Sequence, residues 1–519
     1  MKNRRDFLRN SALMASGVCL PVGWTAISAQ TIKVREPITQ QKKLAEIALN
    51  YGKSRGVSYM DVRIDRTYCQ KISVTNANLH NALNSMASGI GIRVLYQGVW
   101  GFAATHRLTS QAISKTVDAA LINAKTFQSI QTNSVKLNTL GAPNSFHWKT
   151  PIKINGFDIS IQDKLDLLRE VNAVALSQKA SHVVAHLALV NQKKYFASSE
   201  NRFIEQDLYK IACPFVIRHF SERTRREAVR SSLGSAMSMG YEYLIPRQQD
   251  KKQGIVTRYG FSYDVIEDAK QASAEAQRCA QAPKVTPGQY DILLDPSVIA
   301  SVMPNTVVKS HPSNDDSRMG SESMYVMADR VQPGGLASVK YDDEGVPSQR
   351  WPWIQAGIKQ AELTSREKSD EREMLSKGCS FADDWASPQK LSIPNLSLTP
   401  HLGDAFSPLD MIKNVEKGLY LIGRKPLTHN KNSSTMSIGS ELCFEIKAGK
   451  IQGIVSDVMI KVPKKQFWQY YAMSCDKKDY QLVGQTNEDI MHSQTLSGIS
   501  LGSATSRFNG LSVMNAIIA

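Results

Sequence analysis

A stretch bearing proline and glycine near the middle of the chain separates two regions of different pattern. The stretch "APKVTPGQYDILLDP" contains Pro283, Pro287 and Gly288, and it ends in an apolar run typical of a strand. Before it, helical and alternating segments are mixed, whereas period-two runs dominate after it. The pattern predicts an α+β fold, with an N-terminal α+β domain over residues 36–282 and a β-rich, barrel-like C-terminal domain over residues 283–519.

The N-terminal region carries clear local signals for both kinds of element. Apolar positions at helical spacing predict helices near residues 110–125, 161–176 and 263–281. Alternating runs predict separate strands in "DVRIDR" and "KISVTN", and two further strands in "GIGIRVLYQGVWGFAAT", joined by a turn near Gln97 and Gly98.

Composition gives a globular protein with a basic surface. The chain has 519 residues, a hydrophobic content of 42% and a formal net charge of +16, and such a charge can favour nucleic acid or an anionic membrane as a partner. However, Lys and Arg alternate with Asp and Glu, as in "REKSDERE", and no RNA-binding aromatic signature is present. We therefore predict no nucleic-acid partner.

The first 29 residues resemble a twin-arginine export signal. Arg4 and Arg5 precede a mildly apolar run, Ala12 to Trp24, and a small-residue cleavage site follows at Ala29. The run is shorter than the roughly 20 residues of a membrane-spanning helix. We therefore predict a soluble, exported protein in the periplasm or another extracytoplasmic space, without a stable membrane anchor. A basic N-terminal arm is the alternative.

Seven cysteines are widely spaced, and none forms a CxxC pair. A disulfide framework belongs to small secreted scaffolds rather than to a chain of this size. We expect most of these cysteines to be buried packing residues.

Several separated segments, in order from about residue 40 to the C-terminus, resemble the TldD/PmbA family, which is also described as modulators of DNA gyrase and as zinc metallopeptidases. The segments are "GIGIRVLYQGVWGFAAT", "YFASSEN", "PGQYDILLDP", "YDDEGVPSQR", "IPNLSLTPH", "MIKNVEKGLYL" and "AGKIQGIV". The resemblance implies dimers around an interior cavity, in which one type of subunit carries zinc and cleaves unfolded peptides and a homologous subunit lacks the metal. The peptide would be held as an added β-strand.

The family's peptidases carry HExxxH on a helix soon after the "LDP" segment, because two histidines one turn apart can bind one zinc ion and the glutamate can take a proton from its water. Matching the "HP" that follows the motif in exported relatives places Thr306 at the first histidine, Val307 at the glutamate and His311 at the second histidine. A second, gapless match instead places Pro304 at the first histidine, Asn305 at the glutamate and Lys309 at the second histidine. Either match lacks the glutamate and at least one histidine.

The third zinc ligand of the family, a cysteine near the C-terminus, is also replaced. Glu488 stands in its place after Asn487. His311 and Glu488, with Asp489 and His492, are therefore the candidates for a substitute metal site.

Two further motifs have structural interpretations. His182 and His186 in "SHVVAHLALV" have HxxxH spacing, but the segment is predicted to be a strand, in which four residues span roughly 13 Å. The acidic "YDDEG" turn, with Asp342, Asp343 and Glu344, occurs in family members with and without zinc, so we predict that it shapes the cavity wall.

These observations favour a catalytically degenerate, exported subunit that pairs with an active TldD/PmbA homologue as a heterodimer, or with its own copy, and binds an extended peptide. No cofactor is expected. The alternative is a divergent metallopeptidase that uses zinc and cleaves unfolded peptides. Regulation of gyrase is disfavoured, because export would remove the protein from DNA.

Overall fold

The computed structural model describes residues 38–130, 134–141, 145–246, 252–253, 256–257, 261–308, 318–360, 362–367, 375–425 and 434–516. The described residues are about 23% helix and 41% strand, with an N-terminal domain followed by a β-rich C-terminal part. The predicted α+β class is confirmed. The predicted domain boundary at 282/283 and the signal peptide stay predictions, and residues 1–29 lie outside the described residues.

The helices of the described residues are α1 Ile38–Ser54, α2 Ser110–Phe127, α3 Ile161–Ser177, α4 Val265–Gln281, α5 Pro296–Met303 and α6 Pro408–Lys413. Side-chain caps mark several starts. Thr109, Ser160 and Asp264 each accept a hydrogen bond from a backbone N–H in the first turn that follows. The three helices predicted in the N-terminal region are confirmed to within two residues at each end.

The N-terminal strands form one sheet, in the order β3-β2-β1-β5-β6-β4, with β7 pairing with both β5 and β8. Its strands are β1 Tyr59–Thr75, β2 Asn78–Tyr96, β3 Val99–Thr105, β4 Ser145–Lys149, β5 His182–Ser198, β6 Arg202–Ala212, β7 Phe215–Ser221 and β8 Arg226–Ser231. The predicted turn between β2 and β3 is confirmed, since Gln97 and Gly98 both have positive φ, at 49° and 78°.

The prediction of two strands in "DVRIDR" and "KISVTN" is wrong. The first run and all but the last residue of the second lie in β1, which pairs with β5 in one unbroken register from Asp61 opposite Ser198 to Thr75 opposite Val184. The residues between the runs contain neither Gly nor Pro, so nothing interrupts the period-two backbone. The long strand gives the sheet two extended faces.

The two faces of β1 have different partners. Met60, Val62 and Ile64 join a buried apolar cluster with residues of α1 and α2. Asp61 and Arg63 point to the opposite face, where they bond to residues 384–389 of the C-terminal part. The sheet therefore lies between its own helices and the C-terminal part, and the second face is polar.

The C-terminal part is built on two larger sheets. One has the order β19-β22-β26-β11-β18-β20-β21 with β23 pairing with β26, and the other has the order β14-β13-β12-β17-β25-β24. Two short pairs, β9-β10 and β15-β16, stand apart from them. The strands are β9 Lys252–Gln253, β10 Val256–Thr257, β11 Gly288–Leu294, β12 Val326–Asp329, β13 Arg350–Gln355, β14 Ile358–Lys359, β15 Ser380–Phe381, β16 Lys390–Leu391, β17 Asn395–Leu398, β18 Lys417–Ile422, β19 Thr435–Ile438, β20 Leu442–Lys447, β21 Lys450–Ile454, β22 Val458–Pro463, β23 Tyr471–Ser474, β24 Gln481–Thr486, β25 Gly498–Ser503 and β26 Ser506–Asn515.

Buried apolar residues join the two halves of the chain. One cluster contains Leu168 and Val183 from the N-terminal half together with Leu293, Tyr420 and Phe444 from the C-terminal half. Six cysteines in the described residues are free thiols, and five of them are buried. The prediction that most cysteines serve as packing residues is confirmed.

No helix in the described part of the chain has both the length and the apolar content that a membrane crossing requires.

Candidate functional site

The helix that follows the "LDP" segment begins as the sequence dictates. Asp295 caps it by accepting a hydrogen bond of 2.8 Å from the backbone N–H of Ser297, and Pro296 occupies the first turn, where its missing N–H costs nothing. Helix α5 then continues into a π-helical turn, Pro304–Val308. This turn carries the described positions of both alignments to the HExxxH motif.

The structure places Thr306 and Val307 in the protein core. The Thr306 hydroxyl donates to the carbonyl of Val302 at 3.0 Å and accepts from the indole Nε1 of Trp468 at 2.8 Å. Val307 is fully buried in an apolar cluster. Their correspondence to the motif stays a prediction, and His311 and Lys309 lie outside the described residues.

A different face of the same turn borders a cavity of about 370 Å³. Pro304 and Val308, one turn apart, line this cavity. Neither side chain has a lone pair that could bind a metal ion or accept a proton. Among the described residues of the turn, the face that meets the cavity is therefore apolar.

The N-terminal sheet forms a second wall of the cavity. Gln192 and Lys194 of β5 and Leu208 and Lys210 of β6 line it. Residues two apart on a strand share a face, so each strand contributes a pair. In the register of the sheet, Lys194 of β5 pairs with Asp65 of β1. Lys210 of β6 pairs with Val190 of β5, which in turn pairs with Cys69 of β1. Asp65 and Cys69 share the polar face of β1 with Asp61 and Arg63, so both lysines lie on that face.

The end of β24 forms a third wall. Gln485, Thr486 and Asn487 line the cavity, and the Gln485 side chain donates a hydrogen bond of 2.5 Å to the carbonyl of Ala300 in α5. This bond fixes the strand end against the helix. In the described residues β24 is an edge strand, because only β25 pairs with it.

The predicted C-terminal metal candidates lie apart from this wall. Glu488 follows Asn487 but is exposed, and it is not among the residues that line the cavity. His492 is exposed too and contacts Asp489, with 3.4 Å between Nδ1 and Oδ1. Within the described ranges, no group of three or more His, Cys, Asp or Glu side chains is arranged to hold a metal ion.

The described positions therefore do not fit the zinc site of the family's peptidases. Zinc in such sites takes imidazole, thiolate or carboxylate ligands. The turn offers a hydroxyl that is already engaged by Trp468 and an apolar valine. The prediction of His311 and Glu488 as metal ligands stays a prediction.

The HxxxH pair lies on a strand, as predicted. His182 and His186 belong to β5, where His182 Nδ1 lies 3.3 Å from the side-chain amide of Asn76. Burial lowers the pKa of His186. Both observations agree with structural histidines.

The acidic turn, defined as Asp342, Asp343 and Glu344, is buried and fully engaged. Asp342 accepts hydrogen bonds from the backbone N–H groups of Glu344, Val346 and Ser380. Burial raises the pKa of Asp342 and the neighbouring Glu344 raises it further, while these three donors oppose the shift.

The other two carboxylates of the acidic turn tie the C-terminal part to the sheet. Asp343 pairs with Lys194 at 2.7 Å, and Glu344 pairs with Arg93 at 3.2 Å. Arg93 also pairs with Asp61 at 2.7 Å. The turn therefore holds Lys194, which lines the cavity, while the prediction that the turn itself shapes the cavity wall stays a prediction.

Two cations of the cavity wall have backbone partners instead of carboxylates, and we call Lys210 and Arg330 the cavity cations. Lys210 donates to the carbonyls of Thr495 and Leu496, each at 3.2 Å. Burial lowers its pKa to about 8, and the nearby Lys194 contributes to the shift.

Sequence reasoning did not identify the cavity cations. Lys210 lies in "DLYKIA", where a lysine at alternate positions of a strand is usually on the solvent side. The one available signal was the two-residue spacing of Gln192 and Lys194 on β5, which places both side chains on one face of the strand.

Comparisons with known proteins place this architecture in a family. The model of PmbA/TldA metallopeptidase domain 1 matches residues 60–124, and the model of the PmbA/TldA metallopeptidase C-terminal domain matches residues 287–487. The chain belongs to this TldD/PmbA metallopeptidase family, as its sequence motifs predicted.

Named relatives agree with this assignment. A metalloprotease of Methanocaldococcus jannaschii is 22% identical over 419 residues, which are 77% of this chain and 85% of the relative. A zinc metalloprotease TldD homolog of Saccharolobus solfataricus is 23% identical over 394 residues, which are 71% of this chain and 77% of the relative.

Solved structures share the fold. A protein from Thermotoga maritima, described as a candidate modulator of a DNA gyrase, superposes with a TM-score of 0.70 at 15% identity, over 91% of this chain and all of that protein. TldE from Thermococcus kodakarensis has a TM-score of 0.66 at 13% identity, over 92% of this chain and all of TldE.

Proposed function

We propose that this protein is an exported, catalytically degenerate TldD/PmbA-family subunit that binds an extended peptide in its cavity and pairs with a zinc-bearing homologue. One observation carries the proposal. The turn after α5, which our sequence alignment matches to the zinc helix of the family's peptidases, presents Pro304 and Val308 to the cavity and buries Thr306 and Val307.

The absence of a base at these positions has a chemical consequence. Hydrolysis of an amide by a metallopeptidase requires a held cation and a group that takes a proton from its water. Valine has no such group, and the Thr306 hydroxyl is already hydrogen-bonded to Trp468. Catalysis would then belong to the partner subunit.

The edge strand β24 supports peptide binding. Gln485, Thr486 and Asn487 at its end line the cavity, and an unpaired strand edge offers N–H and C=O groups to an added strand. One part of this edge is already covered, because the Gly484 N–H donates to Ser235 Oγ at 3.0 Å. An extended peptide would therefore meet the strand at its Thr486 end.

The remaining parts of the proposal draw on likeness and on sequence. The fold shared with TldE supports a TldD/TldE-type partner subunit. Export rests on the twin-arginine pattern of residues 1–29. The periplasm, or another extracytoplasmic space, is the corresponding location.

Metal analysis and peptide cleavage test the proposal. The mature chain would be purified alone and after co-expression with a homologue that has an intact HExxxH motif. We expect zinc and cleavage only in the co-expressed pair, and we expect His311→Ala in this chain to leave both unchanged. Removing the first histidine of the homologue's motif is the matched control and should abolish cleavage.

Zinc binding and cleavage by this chain alone would support the alternative function, a divergent zinc metallopeptidase. Zinc near one ion per chain in the protein alone, lost together with cleavage in His311→Ala, would indicate a divergent metallopeptidase. Failure of the mature chain and of the pair to bind any extended peptide would refute the binding role.

A further inference from the structure

The charged residues of the cavity wall are unbalanced. Lys194, Lys210, Arg330 and Lys390 line the cavity together with one carboxylate, Asp383. Lys194 is paired with Asp343 of the acidic turn, and Lys390 is paired with Asp383. Among the described residues, the two cavity cations form no ion pair with any carboxylate.

Lys210 has one N–H left to donate. A lysine ammonium carries three donors, and the carbonyls of Thr495 and Leu496 take two of them. The side chain is 8% exposed. Since burial lowers the pKa of Lys210 to about 8, it is mostly protonated at neutral pH, and its charge is held at a cost that an anion would offset.

Arg330, which lies in the C-terminal part, is held in a similar way. Its guanidinium donates to the carbonyls of Ala337 and Ser392 and lies over the Phe381 ring, 4.2 Å from the ring centroid. The residue is 1% exposed, and burial lowers the pKa of Arg330 while Cys379, Asp342 and Asp343 oppose that shift. Phe381 also lines the cavity, so the ring fixes the guanidinium at the wall.

We infer that the cavity cations bind a carboxylate of the extended peptide, either its C-terminal carboxylate or an Asp or Glu side chain. This inference rests on the proposed peptide-binding function and names the substrate class. Charge-assisted hydrogen bonds from lysine and arginine to a carboxylate are shorter and stronger than neutral ones. A cavity of about 370 Å³ has room for one such residue of a bound strand.

The expected preference for an acidic peptide follows from the N–H groups that a neutral peptide would leave without an anionic acceptor. A neutral peptide in the same position would exclude water from Lys210 and Arg330 and give their free N–H groups no anion. Sites with buried polar groups reject ligands that leave those groups unsatisfied. An acidic peptide should therefore be preferred over a neutral peptide of the same length.

The test uses the full mature chain and three peptides of about six residues, the usual length of a strand, each labelled with an uncharged BODIPY dye. One peptide has a free C-terminal carboxylate, one has a C-terminal amide, and one is the amide with a single central Glu. Binding is measured by fluorescence anisotropy at neutral pH. We expect at least one carboxylate peptide to bind about tenfold more tightly than the neutral amide.

Two lysine variants assign this preference to the cavity. Lys210→Met should bring the preference to less than about threefold. Lys164→Met is the matched control, because Lys164 is also a buried lysine whose pKa burial lowers to about 8, but it lies on α3 and does not line the cavity. That variant should keep the full preference.

The outcomes separate the two proposals. A preference for the free terminus alone, or for the Glu peptide alone, supports the inference and identifies the source of the carboxylate. Equal binding of all three peptides overturns the inference and leaves the proposed peptide-binding function in place. Binding of none of them overturns the proposed function and this inference with it.

Discussion

The acidic turn and the cavity cations both meet the polar face of the N-terminal sheet, but their charges are neutralised differently. Every carboxylate of the acidic turn has backbone donors or a cationic partner, such as Lys194 for Asp343 and Arg93 for Glu344. Lys210 has two carbonyl partners and one N–H without an acceptor, and Arg330 is held by two carbonyls and the Phe381 ring rather than by a paired carboxylate.

This difference separates structural charges from binding charges. A buried ion pair with complete partners holds two segments in place, and removing one partner leaves the other charge buried. A buried cation without an anion costs free energy in the empty protein, and ligand binding can recover part of that cost. Variants of the two groups should therefore change stability in opposite directions.

The largest expected effect is in the ion pairs of the acidic turn. Arg93→Met should lower the free energy of unfolding by about 3–5 kcal/mol, because it leaves Asp61 and Glu344 buried without their cation. Urea denaturation followed by circular dichroism measures the loss. The matched control is Arg55→Met, which breaks an exposed pair with Asp118 and should cost no more than about 1 kcal/mol. Equal losses in the two variants would contradict a structural role of the turn.

The second effect has the opposite sign. Lys210→Met should raise the free energy of unfolding at pH 7 by about 1–3 kcal/mol, since a pKa that falls from 10.5 to about 8 on folding reflects a costly buried charge. The measurement is the same urea titration, without peptide. A destabilised Lys210→Met variant would show that Lys210 contributes to structure rather than to binding.

The pH dependence of this second effect follows from linkage. Because the pKa of Lys210 is lower in the folded state, the unfolded state binds more protons between about pH 8 and pH 10.5, so the contribution of Lys210 to stability improves as the pH rises through that window. The stability advantage of Lys210→Met should therefore be full below pH 8 and shrink above it. An advantage that grows with pH would contradict the assignment.

The same contrast explains what the sequence could predict. Local signals were sufficient for the β2–β3 turn at Gln97 and Gly98 and for helices α2, α3 and α4, because periodicity and caps act over a few residues. The acidic residues of "YDDEG" were also visible as a motif. These features depend on neighbours that are close in the chain.

The cavity cations depend on distant neighbours instead. The carbonyls that hold Lys210 belong to Thr495 and Leu496, more than 280 residues away in the chain. Lysine on an alternating strand is typical of a solvent-facing position, and nothing local shows that the C-terminal part covers it. The extent of β1 was missed for a similar reason, since its continuous pairing with β5 is a tertiary property.

A third, smaller effect tests whether Thr306, which we aligned with the first histidine of the HExxxH motif, has a structural role in the core. Thr306→Val should lower the free energy of unfolding by about 1–2 kcal/mol, because the buried indole N–H of Trp468 loses its acceptor. Thr306→Ser keeps the hydroxyl and is the control. Peptide affinity should not change in either variant, and weaker peptide binding in Thr306→Val would place this residue with the binding charges.

The smallest effect is expected at Glu488, which is charged but exposed and therefore belongs to neither group. Glu488→Ala should change the free energy of unfolding by no more than about 0.5 kcal/mol, since exposed side chains without fixed partners contribute little. Zinc content, measured by mass spectrometry on the mature protein, should be the same before and after the substitution.

Zinc that is present in the wild-type chain and lost from both Glu488→Ala and His311→Ala would instead show that these two residues hold a metal ion. Catalysis would then belong to this chain, and the site would contain a metal centre in addition to the structural charges of the acidic turn and the binding charges of the cavity cations.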